Sequence, residues 1–181
     1  PISLLHIRRL PGGRFSDQVL PHLQSGATLD IELPHGEFYL REQAPGPIVF
    51  VASGTGFAPV QSMLEDLFRR RVERPMVLYW GGRQPTDLYA LAQAQKWATQ
   101  HSHFQCVPVI SEDNAEWTGR RGFVHQAVMQ DLPDLSAHQV YACGVTAMVE
   151  AARRDFVTQC GLPENQFFSD AFVTPADQIQ K

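Results

Sequence analysis

The chain has 181 residues, 44% of them hydrophobic and 19% charged, with a formal net charge of −4 at pH 7. This is the balance of a soluble globular protein with one sizeable domain or two small ones, and it excludes the broad basic surface that nucleic acid or an anionic membrane would select. No apolar run approaches the roughly 18 residues of a membrane span. The three cysteines, Cys106, Cys143 and Cys160, are too scattered to form a metal or iron–sulfur spacing by themselves and suit a reducing, cytoplasmic compartment.

The first residue is Pro1 and a β-like stretch follows at once, so a piece of a longer chain is expected. Ile2–Arg9 alternates loosely and reads as a strand, broken by Pro11-Gly12-Gly13. Phe15–Leu23 is predicted helical, with Ser16 as N-cap, Pro21 in the first turn or at a kink, and Gly26 as the stop. Leu29–Leu33 alternates as a half-buried strand, Pro34-His35-Gly36 turns, and Phe38–Arg41 is a further short strand. Glu42–Gly46 has linker composition, which places a domain boundary there: residues 1–45, 46–174 and a tail at 175–181. The first segment holds too little core to stand alone and reads as the end of a β-barrel.

From Pro47 the pattern changes to alternating strands and helices. Ile48–Ala52 is a buried strand, and Phe57–Val72 is a helix with Val60, Met63, Leu64, Leu67, Phe68 and Val72 at helical spacing. Arg69, Arg70, Arg71 and Arg74 at its end read as a solvated, dipole-compensating cluster. Met76–Trp80 is a strand, Thr86–Gln100 is helical, and Phe104–Ile110 is a strand whose Pro108 implies an edge or a bulge. A polar loop over Ser111–Arg121, a helix at Phe123–Met129 and a strand at Gln139–Ala142 follow. The chain closes with a helix at Val145–Cys160, with Val145, Met148, Val149, Ala152 and Phe156 inward, and a short strand from Phe167. This alternation implies an α/β fold with a parallel sheet covered on both faces.

Two turns carry chemistry. Ser53-Gly54-Thr55-Gly56 joins a buried strand to a helix that begins Phe57-Ala58-Pro59. Glycines there let the backbone approach a ligand, and the free N–H groups of the following helix favour an anion, typically a dinucleotide pyrophosphate. An ordinary tight turn is the competing explanation. The second turn, Tyr141-Ala142-Cys143-Gly144, repeats the arrangement: strand, small residue, glycine, helix. Both lie at carboxyl ends of strands, where open sheets bind ligands. Cys143 is placed in that crevice, or is a small core residue; no histidine base pairs with it, so no thiolate nucleophile is expected.

With Tyr79-Trp80-Gly81-Gly82-Arg83, Asp87-Leu88-Tyr89, Met148 and Ser169-Asp170-Ala171-Phe172, these turns make residues 47–172 resemble the pyridine-nucleotide domain of the ferredoxin–NADP reductase superfamily. Residues 2–41, with Gly13-Arg14-Phe15-Ser16 and Pro34-His35-Gly36, resemble the last part of that family's antiparallel FAD barrel. Within the superfamily the resemblance is to NAD(P)H-flavin reductases and CDP-6-deoxy-Δ-3,4-glucoseen reductases, carried in part by Trp117-Thr118-Gly119-Arg120. The family's Arg-x-Tyr/Phe-Ser flavin segment and its plant-type iron–sulfur cysteines are absent from these 181 residues. FAD is therefore expected in the full-length protein, and a [2Fe–2S] centre in a further N-terminal domain.

The resemblance implies hydride transfer from nicotinamide to flavin and onward electron transfer to an iron–sulfur centre or another acceptor. Ser53, Gly54, Thr55, Gly56 and Pro59 would form the pyrophosphate turn, Cys143 and Gly144 would flank the nicotinamide with Met148 nearby, and Gly13 and Ser16 would hold the FAD pyrophosphate. Asp170 and Phe172 would stand at the reaction site, the first as its carboxylate and the second at the flavin ring. At the adenosine end lie Arg83 and Ser111-Glu112-Asp113; two carboxylates would repel a 2′-phosphate, which favours NADH over NADPH, while Arg83 could either reach a phosphate or pair with Asp87. The seven histidines have no metal-ligand spacing, and His101-x-His103 reads as a solvated loop. An NADH-dependent flavoprotein reductase, or its nucleotide domain, is the expected function. The alternatives are a reductase of free flavin, a non-catalytic nucleotide-binding or interaction domain, and a dehydrogenase with its own substrate pocket. The last is disfavoured because no acid–base pair stands out.

Overall fold

The computed structural model describes residues 3–32, 35–42 and 46–173. The chain divides into two compact units, Pro1–Glu37 and Phe38–Lys181. This division falls before the Glu42–Gly46 segment, because Phe38 and Leu40 pack on the core of the second unit and the backbone N–H of Arg41 donates to the Tyr141 hydroxyl at 2.7 Å. Residues 43–45 of that segment, and the tail 175–181, lie outside the described residues.

In the first unit the strands expected at Ile2–Arg9 and Leu29–Leu33 are not formed, and neither is Phe38–Arg41 at the start of the second; Ile2, Leu33 and Pro34 are outside the described residues. A strand satisfies its backbone only against a paired neighbour, and no described segment lies alongside these in a ladder. Ser16 is the one buried residue described in this unit. The expected helix is a short helical turn, Arg14–Val19, followed by a 3₁₀ turn, Leu20–His22, with Pro21 in its first positions. Ser16 is not its N-cap, which is Gly13; the Ser16 hydroxyl instead accepts the Leu10 N–H at 3.0 Å. Asp17 accepts the Gly12 N–H at 2.9 Å and the Arg9 Nε–H at 2.7 Å, and these bonds hold its carboxyl below the ordinary range.

The second unit is a six-stranded sheet with every pairing parallel. Its strands are β1 (Ile48–Ser53), β2 (Met76–Gly82), β3 (Phe104–Ile110), β4 (Arg120–Arg121), β5 (Gln139–Val145) and β6 (Phe167–Phe172), in the order β4-β3-β2-β1-β5-β6. The helices are α1 (Phe57–Arg69), α2 (Leu91–Gln100), α3 (Val124–Asp131) and α4 (Thr146–Gln159). Successive side chains of a strand point to opposite faces, and β1 is apolar on both. Ile48, Phe50 and Ala52 pack with Phe57, Val60 and Leu64 of α1 and Trp97 of α2. Val49 and Val51 pack with Val124 and Val128 of α3 and Val149 and Phe156 of α4. Pro108 lies in β3 just before Val109 and Ile110, the two residues that pair with β4, so its missing N–H falls on the unpaired part of a near-edge strand.

Two expectations are corrected. Val145 is 45% exposed, because it caps α4 as the last residue of β5 and points away from the core. Arg74 is not solvated like its neighbours: its guanidinium donates to the Gly46 carbonyl at 2.9 Å and to Gln139 Oε1 at 2.8 Å, tying the starts of β1 and β5 together. Arg69 and Arg70 pair with Asp66 on the surface, as their exposure suggests.

On the α3/α4 face a buried pair joins the helices, His125 Nε2 to Asp155 Oδ2 at 3.5 Å. Burial holds the His125 pKa below its ordinary 6.5, with Asp155 opposing in part. The Arg154 hydrogen bond is the main cause holding Asp155 below 3.8. Both shifts have one sign in their effect on stability. As pH falls through 6.5 the unfolded histidine takes a proton that the folded one resists, and nearer 3.8 the unfolded carboxylate does the same. Thermal unfolding followed by circular dichroism should therefore shift to lower temperature as pH falls from about 7 to about 5, and His125→Gln should flatten the shift. A wild-type midpoint independent of pH in this window would contradict the assignment.

Candidate functional site

The strand order reverses at β1. The chain lays β2, β3 and β4 successively on one side of it, then returns to place β5 and β6 on the other. A crevice at the carboxyl ends of the strands opens at such a reversal, between β1 and β5. The parallel register brings Ala52 opposite Cys143 and Ser53 opposite Gly81, so the two glycine turns emerge side by side.

They touch at van der Waals limits. Gly54–Gly56 forms a 3₁₀ turn that runs straight into α1. A Cβ at Gly56 would stand 2.1 Å from the carbonyl oxygen of Cys143, so no larger residue fits. Gly144 has φ +140°, a conformation rare for side-chain-bearing residues, and a Cβ there would stand 2.1 Å from Ser53 Oγ. Ser53 Oγ in turn accepts the Val145 N–H at 3.0 Å, joining the first turn to the start of α4. Beside Gly54 nothing lies within 4 Å of where a Cβ would be. The thirteen-residue α1 that follows the turn has no side-chain cap on its first N–H groups. The Phe57 N–H donates back to the Gly54 and Thr55 carbonyls, and the uncapped N–H groups beyond it are of the kind that favours an anion.

The turn is also held from below. Trp80, fully buried in β2, donates its indole N–H to the Gly54 carbonyl at 3.1 Å. The Phe57 ring stacks on the Trp80 ring with centroids 4.0 Å apart, and Tyr89 meets Trp80 edge-on at 5.4 Å.

Residues 50–154 match the family described as the oxidoreductase NAD-binding domain, more than half of the chain. The chain belongs to this family. It is 49% identical to the CDP-6-deoxy-L-threo-D-glycero-4-hexulose-3-dehydrase reductase of Yersinia pestis, over 93% of this chain and 50% of that protein. It is 36% identical to an NAD(P)H-flavin reductase of Aliivibrio fischeri, over 93% of this chain and 73% of that protein. Among solved structures it superposes on the Amycolatopsis cytochrome P450 reductase GcoB with a TM-score of 0.86 and 32% identity, covering 94% of this chain and 52% of that one. The chain thus spans about half the length of the first curated relatives it matches. The ferredoxin-reductase-type fold inferred from the sequence is the fold observed.

Within this NAD-binding domain the expected site residues fall into three groups. Ser53, Gly54, Thr55 and Gly56 form the first turn, with Pro59 in the first turn of α1, where a proline costs no helical hydrogen bond. Cys143 and Gly144, expected as a turn, are strand residues: they pair with Asp170 and Ala171 of β6, so β5 continues to Val145, opposite Phe172, and passes directly into α4. Asp170 is exposed and Phe172 half-buried, its carbonyl accepting the Thr146 hydroxyl at 3.4 Å. Met148 is buried in α4 within the core cluster that includes Val149. Arg83 and Ser111 form the third group, at the ends of β2 and β3, where the Ser111 N–H donates to the Gly82 carbonyl at 2.9 Å. The Arg83 guanidinium does not pair with Asp87, whose carboxylate accepts the backbone N–H groups of Arg83 and Gln84 instead; its ion partner is Glu112, at 4.0 Å. Gly13 and Ser16 belong to the first unit, where the Ser16 hydroxyl serves the Leu10 N–H.

The anchoring of the first turn by Trp80 is absent from the sequence reading. The residue stood in a recognised motif, but a bond to a carbonyl 26 positions away has no local signature. Among the described residues no group of three or more His, Cys, Asp or Glu could hold a metal, and no helix is long and apolar enough to cross a membrane.

Burial, and then the Asp170 charge, push the Cys143 thiol far above its ordinary pKa, and burial pushes that of Cys106 up to about 12. Iodoacetamide at about pH 8 should therefore leave Cys143 unmodified in the folded chain and alkylate it once the chain is unfolded in guanidinium. Rapid labelling of native Cys143, read by peptide mass spectrometry, would contradict a buried thiol. Gly56→Ala should lower the unfolding free energy by about 1–3 kcal/mol through overpacking against Cys143, as read by urea titration.

Proposed function

We propose that the chain binds NADH across its two glycine turns and presents the nicotinamide to a flavin, as the pyridine-nucleotide part of an NADH-dependent flavoprotein reductase. The observation that carries this reading is the close approach of the Ser53–Gly56 turn to the end of β5 at the point where strand order reverses, with the uncapped start of α1 directly after the turn. That geometry fits a dinucleotide: Gly54, Thr55 and Gly56 would hold the pyrophosphate on backbone N–H groups, and the nicotinamide would lie at the end of β5, beyond the buried Cys143 and Gly144. When bound, the nicotinamide supplies a hydride and the flavin accepts it.

The chain's own residues orient and enclose. Ser53 fixes the separation of the turns through the Val145 N–H, and Trp80 fixes the height of the first turn through the Gly54 carbonyl. Cys143, fully buried, keeps its thiol proton through the working pH range and so serves neither as a base nor as a nucleophile. Asp170 and Phe172, next to it in β6, border the place where the flavin ring would meet the nicotinamide. The flavin itself is assigned to a barrel domain acting with this one, and the final acceptor to an iron–sulfur domain or partner protein. Support for a protein acceptor comes from a relative named as a terephthalate 1,2-dioxygenase reductase component of Comamonas, 38% identical over 94% of this chain. The Aliivibrio relative, 73% of whose length is covered, favours free flavin as a second reading.

Titration of NADH into the 181-residue chain, followed by calorimetry and by quenching of the intrinsic tryptophan fluorescence, should show saturable binding below about 1 mM. No binding in that range would sink the proposal. Binding of NADH without hydride delivery to added FAD or FMN, and none to a flavin-loaded protein carrying the barrel domain, would favour the non-catalytic nucleotide-binding alternative.

A further inference from the structure

Gly54 is the least constrained residue of the first turn. Its φ is +51°, in the left-handed region that glycine enters freely, and nothing lies within 4 Å of where a Cβ would stand. No side chain at this position limits the plane of the peptide that follows, from the Gly54 carbonyl to the Thr55 N–H. That carbonyl accepts two donors. One is the Phe57 N–H, which is shared between the Gly54 and Thr55 carbonyls. The other is the Trp80 indole N–H, at 3.1 Å. A donor divided between two carbonyls favours neither plane strongly, so the indole supplies the stronger constraint.

The indole is itself fixed. Trp80 is fully buried in β2 and in register with Ala52 of β1. Phe57 stacks on its ring, with centroids 4.0 Å apart and planes 15° apart, and Tyr89 stands edge-on at 5.4 Å and 89°. A buried indole N–H needs an acceptor, and any core carbonyl would satisfy it. The choice of Gly54 has a further consequence. A peptide is planar and trans, so its C=O and N–H point in opposite directions. With the Gly54 carbonyl drawn onto the buried Trp80 ring, the Thr55 N–H is turned away from that ring. Thr55 is half-buried, at the start of the turn, where N–H groups have no acceptor within the helix.

We propose that Trp80 is a positioning residue for the pyrophosphate: by holding the Gly54 carbonyl inward, its indole N–H presets the Thr55 N–H as an outward donor to a phosphate oxygen. Without the indole N–H, the peptide between Gly54 and Thr55 can rotate and present its carbonyl oxygen, which repels a phosphate. Trp80, being fully buried, acts through the backbone and not on the ligand. Another aromatic ring could fill the same space, but only one with an N–H at this edge fixes the peptide plane. The inference rests on the dinucleotide reading of the crevice.

The test replaces Trp80 alone in the 181-residue chain, by benzothienylalanine, a ring of the same shape with sulfur in place of the N–H, and by phenylalanine in W80F. NADH binding is measured by calorimetry and by proton–nitrogen correlation NMR of the Thr55 amide, and folding by circular dichroism. In wild type, NADH should move the Thr55 amide proton downfield, as a hydrogen bond to a phosphate oxygen does. In the sulfur-ring chain the NADH dissociation constant should rise roughly threefold to tenfold, the size of one hydrogen bond, and the Thr55 shift at saturation should shrink. A role in packing alone would lower the unfolding temperature and leave both readouts unchanged in the folded chain. W80F, which also loses ring volume, should lose the Thr55 shift and unfold at a lower temperature. A wild-type Thr55 amide that bound NADH leaves unmoved would overturn the inference whether or not the variants fold. So would a folded sulfur-ring chain with wild-type affinity and shift; both outcomes leave the nucleotide reading intact. Failure of wild type to bind NADH would overturn both.

Discussion

Two backbone turns occupy a space that admits no side chain between them. The Cα of Gly56 lies against the Cys143 carbonyl and the Cα of Gly144 against Ser53, with a single hydroxyl-to-amide bond, Ser53 to Val145, joining them. Everything at the carboxyl end of the sheet depends on this contact. It sets how far β1 and β5 diverge beyond their last shared pair, Ala52 and Cys143. The pyrophosphate and nicotinamide positions we propose both rest on this one close approach.

The rest of the second unit works to keep that approach rigid. β1 is buried on both faces, so its end cannot shift without disturbing two cores. Trp80 reaches up from the neighbouring strand to hold the first turn by its carbonyl, and Phe57 stacks on the same ring from the first residue of α1. At the opposite end of the sheet, Arg74 fastens Gly46 to Gln139 and so closes the starts of β1 and β5. The arginines at the ends of β2 and β3 have carboxylates beside them, Arg83 with Glu112 and Arg121 with Asp113. A chain of net charge −4 has no general pull on a phosphate, so recognition falls to N–H groups fixed in direction.

Local pattern in the sequence was enough for most of the second unit. The two-residue β4, Arg120–Arg121, fell inside an expected polar loop and exists only by pairing with Val109 and Ile110, and the strand expected at Phe38–Arg41 did not form. A short apolar run, two glycines and an amphipathic segment can form only a strand, a tight turn and a helix, because period and turn torsion are properties of neighbouring residues. The alternation of such units from Pro47 determined a parallel α/β sheet, and the motif at Ser53–Pro59 determined where an anion could bind. Pattern failed in the first unit, where Ile2–Arg9 and Leu29–Leu33 have β-like alternation but no ladder to join; strand formation depends on a partner as much as on the strand itself. The tertiary structure alone decided the pairings across the site. Ser53 meets Val145 over 92 positions, Trp80 meets Gly54 over 26, and Gln84 meets Glu112 over 28. None of these has a local signature, because register and strand order bring the partners together only after the sheet is assembled. For the same reason the sequence by itself left Arg83 open to a phosphate or to Asp87. Only the continued pairing of β2 with β3 decided that its counter-ion is Glu112.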